Sequence, residues 1–332
     1  MKHLSFLQAL LFLPVIVSCS DNVIDSDILS QLKKPSIEFN RPSEFIVIFG
    51  DLQTHSRYTM SKYLAAPVYW LKWQNESIGN IKAVLQTGDL TEHNRHSEWE
   101  FCRKQFSVLE GNIPVISCTG NHDYTWGENS VIESRSSTYF SEYMSQVLPD
   151  SIIVERYEDG LIDNIVVELK IYDKPLYVMA LEFAPRPEVT EWADSLVIAT
   201  PERKYLLMTH EFIYHWERVS DAKSYAHRQF PNNRGCGPET VWNKLVYPHD
   251  NVLAVLCGHN GYSEQVFSTN QAGREVPQVM FNLQYQTNEN LAHVMLWEFV
   301  NNSGTVNVSV YNPLTGISDT REGTSFTMHL PL

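Results

Sequence analysis

Five short polar clusters in this chain each come soon after an apolar run. Gly50-Asp51-Leu52-Gln53 follows residues 45–49, Gly88-Asp89-Leu90-Thr91-Glu92 follows 81–85, and Gly120-Asn121-His122-Asp123 follows 113–116. Further on, Thr209-His210-Glu211 follows 205–208, and Gly258-His259-Asn260-Gly261 follows 252–256. Aspartate, asparagine and histidine together are mixed oxygen and nitrogen donors that suit Mn²⁺, Fe²⁺ or Zn²⁺, and no thiolate accompanies them. Two such ions side by side clamp a phosphoryl group and furnish hydroxide near neutral pH.

Bringing five distant clusters together requires a scaffold with all of its strand ends on one side. The runs 45–49, 81–85 and 113–116 alternate with helical spacing at 58–73 (Tyr63, Leu64, Val68, Leu71) and at 97–110. Continuous apolar strands separated by helices predict a mostly parallel sheet covered by helices. Ligand sites in such sheets lie beyond the carboxyl ends of the strands, where all five clusters fall. A different region follows: 165–169 and 176–181 read as antiparallel neighbours across the turn Asp173-Lys174-Pro175. A helix near 187–198, a strand at 205–208, a helix near 239–247 and a strand at 252–256 resume the alternation, and 277–311 is strand-rich with a hairpin across 301–304. Trp70, Trp73 and Trp297 are expected in the core.

The 332 residues are 43% hydrophobic and 19% charged, which excludes a disordered or low-complexity chain. Against 39 Asp and Glu stand 25 Lys and Arg, a net charge of −14 that argues against a nucleic-acid-binding surface. The segment 211–238, with His215, Arg218, His227 and Arg228, reads either as a substrate lid or as a solvated excursion. Arg186, at another strand exit (181–186), is placed either for a substrate phosphate or for a surface salt bridge. Cys102, Cys118, Cys236 and Cys257 are scattered singly, which suggests neither a zinc knuckle nor a dense disulfide framework.

At the N-terminus, Lys2 and His3 precede a mostly apolar stretch at 4–17, too short to span a membrane comfortably and shaped like a secretory signal. Its end, Ile16-Val17-Ser18-Cys19, resembles a bacterial lipobox, which implies acylation at Cys19; an ordinary cleaved signal is the alternative. The acidic residues just beyond resemble the export signals of Bacteroidetes surface lipoproteins. The expected organisation is a lipoprotein signal peptide at 1–18, a tether at 19–43 and one catalytic domain at 44–332, with the strands of 277–311 part of it. The resemblance places the protein on the outer membrane, at its periplasmic face or at the cell surface, with the membrane contacted through the N-terminal lipid only.

The order Asp51, Gly88-Asp89, Gly120-Asn121-His122-Asp123, His210 and Gly258-His259 resembles the calcineurin-like metallophosphoesterase superfamily, over about residues 45 to 286. The resemblance implies an α/β fold: two mixed β-sheets packed face to face with helices outside. It implies hydrolysis of phosphate esters by in-line attack of a metal-activated hydroxide, with two divalent metal ions (Mn, Fe, Zn or Mg). Asp89 would bridge the ions, Asn121, His210 and His259 would complete the second site, and Asp51 would ligate the first. His122 would be the general acid or charge stabiliser, oriented by Asp123. The first site departs from the family pattern. The usual D-x-H is Asp51-Leu52-Gln53 and the usual G-H-x-H is Gly258-His259-Asn260-Gly261, so two imidazoles are missing. Gln53, through its amide oxygen, is the first candidate replacement; Glu92 and His55 are others. The substrate expected is a phosphorylated small molecule or a phosphodiester. The departures leave open a catalytically inactive, metal-binding surface lipoprotein.

Overall fold

The computed structural model describes residues 43–231 and 234–332; the expected signal segment 1–18, Cys19 and the tether up to residue 42 lie outside them. Strands β1 (Glu44–Phe49), β2 (Ile81–Gln86) and β3 (Val115–Ser117) are the three apolar runs of the first half. Next come β4 (Ile153–Arg156), β5 (Ile165–Ile171), β6 (Lys174–Ala180) and β7 (Tyr205–Met208). A short hairpin, β8 (Ile213–Tyr214) and β9 (Glu217–Arg218), precedes β10 (Val252–Cys257), β11 (Ser263–Thr269) and β12 (Glu275–Phe281). The chain closes with β13 (Val294–Phe299), β14 (Thr305–Asn312), β15 (Ile317–Ser318) and β16 (Ser325–His329).

Two mixed sheets result. One has the order β15-β14-β13-β1-β2-β3 with β16 also on β14, and the other β11-β12-β10-β7-β6-β5-β4. In the first, the parallel strands β1, β2 and β3 form one end with β3 at the edge, and the antiparallel strands lie beyond β1. In the second, the parallel strands β6, β7, β10 and β12 occupy the middle and antiparallel strands the margins. Side-chain alternation then decides the layers. In the second sheet Val178, Ala180, Leu206, Met208 and Leu256 pack into the same core as Ile46, Val84 and Trp297 of the first sheet. Their neighbours Met179, Leu181, Leu207, Val255 and Cys257 face the other way, into a second core. Helices cover both outer faces, giving the α/β/β/α sandwich expected from the sequence.

On the first face lie α1 (Gln53–Arg57), α2 (Ser61–Ile78) and α3 (His96–Phe106), with α4 (Phe140–Met144) beyond them. The second is covered by α5 (Pro187–Ala199), where Pro187 opens the helix and Val189, Ala193 and Val197 recur every fourth residue on the buried side. Two short helices, α6 (Tyr225–Gln229) and α7 (Pro238–Val241), follow, and α7 runs into a π-turn at Trp242–Val246 rather than one helix over 239–247.

Several expectations are corrected. The helix expected at 58–73 is present but shifted, running from Ser61 to Ile78, and a separate short helix at Gln53–Arg57 precedes it, the two parted where Thr59 takes a positive φ of 48°. The helix of 97–110 ends at Phe106 and tightens into a 3₁₀ turn at Ser107–Leu109. The third strand starts at Val115, because Pro114 has no N–H to donate; its carbonyl still accepts from Val84 N. The β5–β6 turn is Tyr172-Asp173, both at positive φ, and Lys174 and Pro175 already pair with Ile171 and Lys170. The terminal strands run on past 311, because β16 pairs with β14 as far as His329. Trp70 and Trp297 are buried, whereas Trp73 is half-buried.

Phe106 pins the end of α3 against β1, with its ring edge-on to Phe49 at 5.6 Å between centroids. Phe106→Ala is expected to cost about 3–5 kcal/mol, read as a lowered urea midpoint with unchanged slope.

Candidate metal centre

The polar clusters converge because their loops are stitched together by backbone hydrogen bonds. Leu52 N donates to Asp89 O at 2.8 Å, Gly258 N to His210 O at 2.8 Å, and Thr87 N to Phe49 O at 3.2 Å. Asp89 and His259 both sit in the left-handed region, at φ 51° and 73°. That conformation is uncommon for non-glycine residues and is held here by the surrounding bonds. Two glycines permit the close approach. A Cβ on Gly120 would collide with the backbone and carboxylate of Asp89, and one on Gly258 with the Asp51 carboxylate and, at 2.7 Å, with Thr87 Oγ1.

At the centre, His210 Nδ1 donates to Thr87 O at 2.8 Å. A carbonyl only accepts, so this bond fixes the tautomer and leaves Nε2 as a bare lone pair. That lone pair faces Asp89 Oδ2 at 3.2 Å, Asn121 Oδ1 at 3.2 Å and His259 Nδ1 at 3.1 Å. All four side chains are buried. Asp89 Oδ2, Asn121 Oδ1 and the His210 Nε2 lone pair are acceptors crowded together, and they repel one another unless a proton or a cation lies among them. Asp89, His210 and His259 also present ligand atoms all within 4.8 Å of one another. One carboxylate, one amide oxygen and two imidazoles make a chemically sound set for a divalent ion.

The electrostatics agree. Burial opposes a charge on His210, but Asp89 and then Asp51 outweigh it and hold its pKa up at about 10. Burial also works against the Asp89 carboxylate, yet His210 and His122 keep its pKa below the usual range. Asp51 is driven well above that range by burial, with His210 opposing and Asp89 adding to the rise. Burial and the charge of His210 push His259 well below its ordinary value, so His259 is neutral. A proton on His210 thus fills the place that a cation would take.

The other expected residues lie around this cluster. Asp51 accepts from His259 N through both oxygens, at 3.2 and 3.1 Å. Gln53 is buried and its Nε2 donates to Asp89 Oδ2 at 3.1 Å. His122 N donates to Asp89 Oδ1 at 2.8 Å, and its ring donates from Nδ1 to Glu92 O at 3.0 Å. The role expected of Asp123 is corrected: its carboxylate does not touch the His122 ring. It accepts instead from Gly120 N, Leu90 N, Thr91 N and Thr91 Oγ1 at 2.8–3.2 Å, clamping the loop after β2 to the loop after β3. Two alternative donors are engaged elsewhere, His55 Nε2 with Leu291 O at 2.8 Å and Glu92 with Arg57 at 3.1 Å. Arg186 pairs with Glu182 and Glu158, the salt-bridge outcome.

Sequence reading missed three participants. Thr87 orients His210 through a backbone carbonyl, which carries no side-chain signal. Tyr225 packs edge-on to the His259 ring at 4.5 Å. Glu211 is buried and accepts from Ser224 Oγ, Tyr225 N and Ala226 N, tying α6 to the strand exit that carries His210. Its position directly after His210 was the available signal. The described cysteines are all free and buried.

The family model for calcineurin-like phosphoesterases matches residues 46–324, and the chain belongs to that family. These are metal-dependent phosphoester hydrolases as a class. The chain is also similar to the uncharacterized protein YvnB of Bacillus subtilis (strain 168), 24% identical over 259 residues; the match takes in 74% of this chain and 18% of that protein's length. Among solved structures it resembles the sulfate thiohydrolase SoxB of Thermus thermophilus, at TM-score 0.47 and 12% identity over 85% of this chain and 59% of that one. It also resembles a 5'-nucleotidase precursor from the same organism, at TM-score 0.42 and 11% identity over 87% of this chain and 54% of that one.

Gly258→Ala is expected to displace Asp51 and His259 and to lower Mn²⁺ affinity at least tenfold in a calorimetric titration. Retention of wild-type affinity would show that the close approach at Gly258 is not needed for the centre.

Proposed function

We propose that this chain hydrolyses phosphate esters at a metal centre held by Asp89, Asn121, His210 and His259. The supporting observation is the convergence of their four potential ligand atoms, three of them within 3.2 Å of His210 Nε2, in a buried cluster beside His122. A divalent ion bound there supplies a Lewis acid and makes hydroxide available near neutral pH. The chain's own residues do the rest. His122, with Nδ1–H committed to Glu92 O, has Nε2 free, and in the imidazolium form this nitrogen gives a proton to the leaving oxygen or stabilises charge on it. Its backbone N–H, bonded to Asp89 Oδ1, fixes the distance between that ring and the centre.

The substrate proposed is a phosphorylated small molecule. A cavity of about 710 Å³ runs beside His259, lined by Tyr214, Tyr225, Tyr285, Lys223, Arg228 and Asn260, a size that suits the organic part of such a substrate. This favours the lid reading of 211–238. A separate cavity of about 380 Å³ is lined by His122, Trp126, His93 and Glu92. Room for two organic groups around one centre favours a phosphodiester as the second reading. We also propose that acylation at Cys19 holds the protein on the outer membrane, at its periplasmic face or at the cell surface.

With Mn²⁺ loaded, the chain is expected to release p-nitrophenol from a nitrophenyl monoester or a bis-nitrophenyl diester, and the faster of the two identifies the ester class. Chelation or His259→Ala should abolish turnover. His122→Ala should lower kcat by about 10²–10⁴-fold with metal content unchanged. Turnover indifferent to chelator would sink the metal-dependent reading, and a metal-loaded chain inert on every ester would favour a surface-binding role. For the anchor, Cys19→Ala is expected to leave the protein unacylated and in the aqueous phase of a detergent partition; unchanged membrane association would remove that proposal.

A further inference from the structure

We infer that the centre holds one divalent ion, and that the Gln53 side-chain amide occupies the place of a second. The inference rests on the metal centre proposed above and concerns its stoichiometry. Asp89 has two carboxylate oxygens, and each already accepts a hydrogen bond from an N–H group. Oδ1 accepts from His122 N at 2.8 Å, and Oδ2 accepts from Gln53 Nε2 at 3.1 Å while facing His210 Nε2 at 3.2 Å. The amide N–H takes up a lone pair of Asp89 Oδ2 that a second ion sharing this carboxylate would need. Gln53 is placed there rigidly, because it is buried and opens α1 directly after the β1 exit.

The donors left for a second ion are few. Gly261 contributes no side chain, and a Cβ there would meet Glu264 Oε1 and Met280 Cε at 2.7 Å, so its backbone path leaves no room for an imidazole unless both neighbours move. Glu264 itself accepts from Trp216 N at 2.9 Å. His55 and Glu92 are turned to Leu291 O and Arg57. Among the described candidates, Asp51, the unpartnered Gln53 Oε1 and the unpartnered His55 Nδ1 remain. One carboxylate, one neutral amide oxygen and one imidazole nitrogen are fewer donors than the four side chains of the His210 cluster offer. The same amide gives the reason for the asymmetry. Turned over, it would set Oε1 against Asp89 Oδ2, two acceptors in contact, an arrangement stable only with a cation between them. As it stands, the N–H neutralises that edge of Asp89 without one.

Gln53→Glu tests this directly, since glutamate has the shape of glutamine but offers only acceptors. The chain, stripped with a chelator and reloaded with Mn²⁺, is desalted; bound metal is counted by mass spectrometry and its electron paramagnetic resonance recorded. The wild type is expected to hold one equivalent with the signal of isolated Mn²⁺. Gln53→Glu should hold two equivalents with a spin-coupled signal. Two equivalents with a coupled signal in the wild type would overturn the inference. So would a Gln53→Glu protein with unchanged circular dichroism that still takes one. Should that variant fail to fold, the wild-type count decides alone. No bound metal in the wild type would instead overturn the metal centre itself, a result distinct from either stoichiometry.

Discussion

The Asp89 carboxylate is the group on which the rest of the structure depends. It is fully buried, it accepts from Gln53 and from the His122 backbone, and it faces the lone pair of His210. Burying a carboxylate among further acceptors is unfavourable unless positive charge is drawn in. Several features of the fold answer that single demand. The left-handed backbone at Asp89 and His259, and the bare Cα of Gly120 and Gly258, let the strand exits approach closely enough to bring the ligand atoms of Asp89, His210 and His259 within 4.8 Å of one another. The raised pKa of His210 is the same demand met by a proton.

Rigidity at this point comes from two buried carboxylates bonded to main-chain donors. Asp123 ties the loops after β2 and β3 through backbone donors, and Glu211 fastens α6 beside the His210 strand exit. Each replaces a long loop's freedom with bonds to main-chain N–H groups, which are among the stronger hydrogen bonds available to a buried carboxylate. Through Glu211 the ring of Tyr225 is held against His259, so the wall of the larger cavity and the metal centre are parts of one bonded unit. The chain as a whole carries a net charge of −14, yet Lys223 and Arg228 line this cavity. An anionic ester would therefore meet a locally favourable wall on an otherwise repulsive surface, and a bound cation would strengthen the attraction.

Much of this was legible in the sequence, and the reasons are local. Unbroken apolar runs such as 45–49 and 252–256 have one stable solution, a strand buried on both faces, and the polar clusters behind them must then emerge on one side of the sheet. The two-sheet sandwich and the identity of the central donors followed from that pattern and from the family resemblance it carried. Boundaries failed where a backbone detail outweighs side-chain pattern: Thr59 at positive φ delaying a helix to Ser61, Pro114 lacking a donor, and Tyr172-Asp173 turning before Lys174 could.

Contacts across the fold were decided by tertiary structure alone. Whether Asp123 orients the His122 ring or clamps backbone depends on which donors lie within about 3 Å, and adjacency in sequence does not set that distance. Gln53 could be named as a departure from the family pattern from its position, but only the folded chain turns its N–H toward Asp89 Oδ2. Thr87 acts through a carbonyl, which any residue type would supply. Sequence thus determined which donors exist and which face of the sheet presents them, because hydrophobic periodicity is a local property. Their final partners depended on backbone approaches between segments as many as 208 residues apart, such as His259 N on Asp51, and those are set only when both sheets have packed.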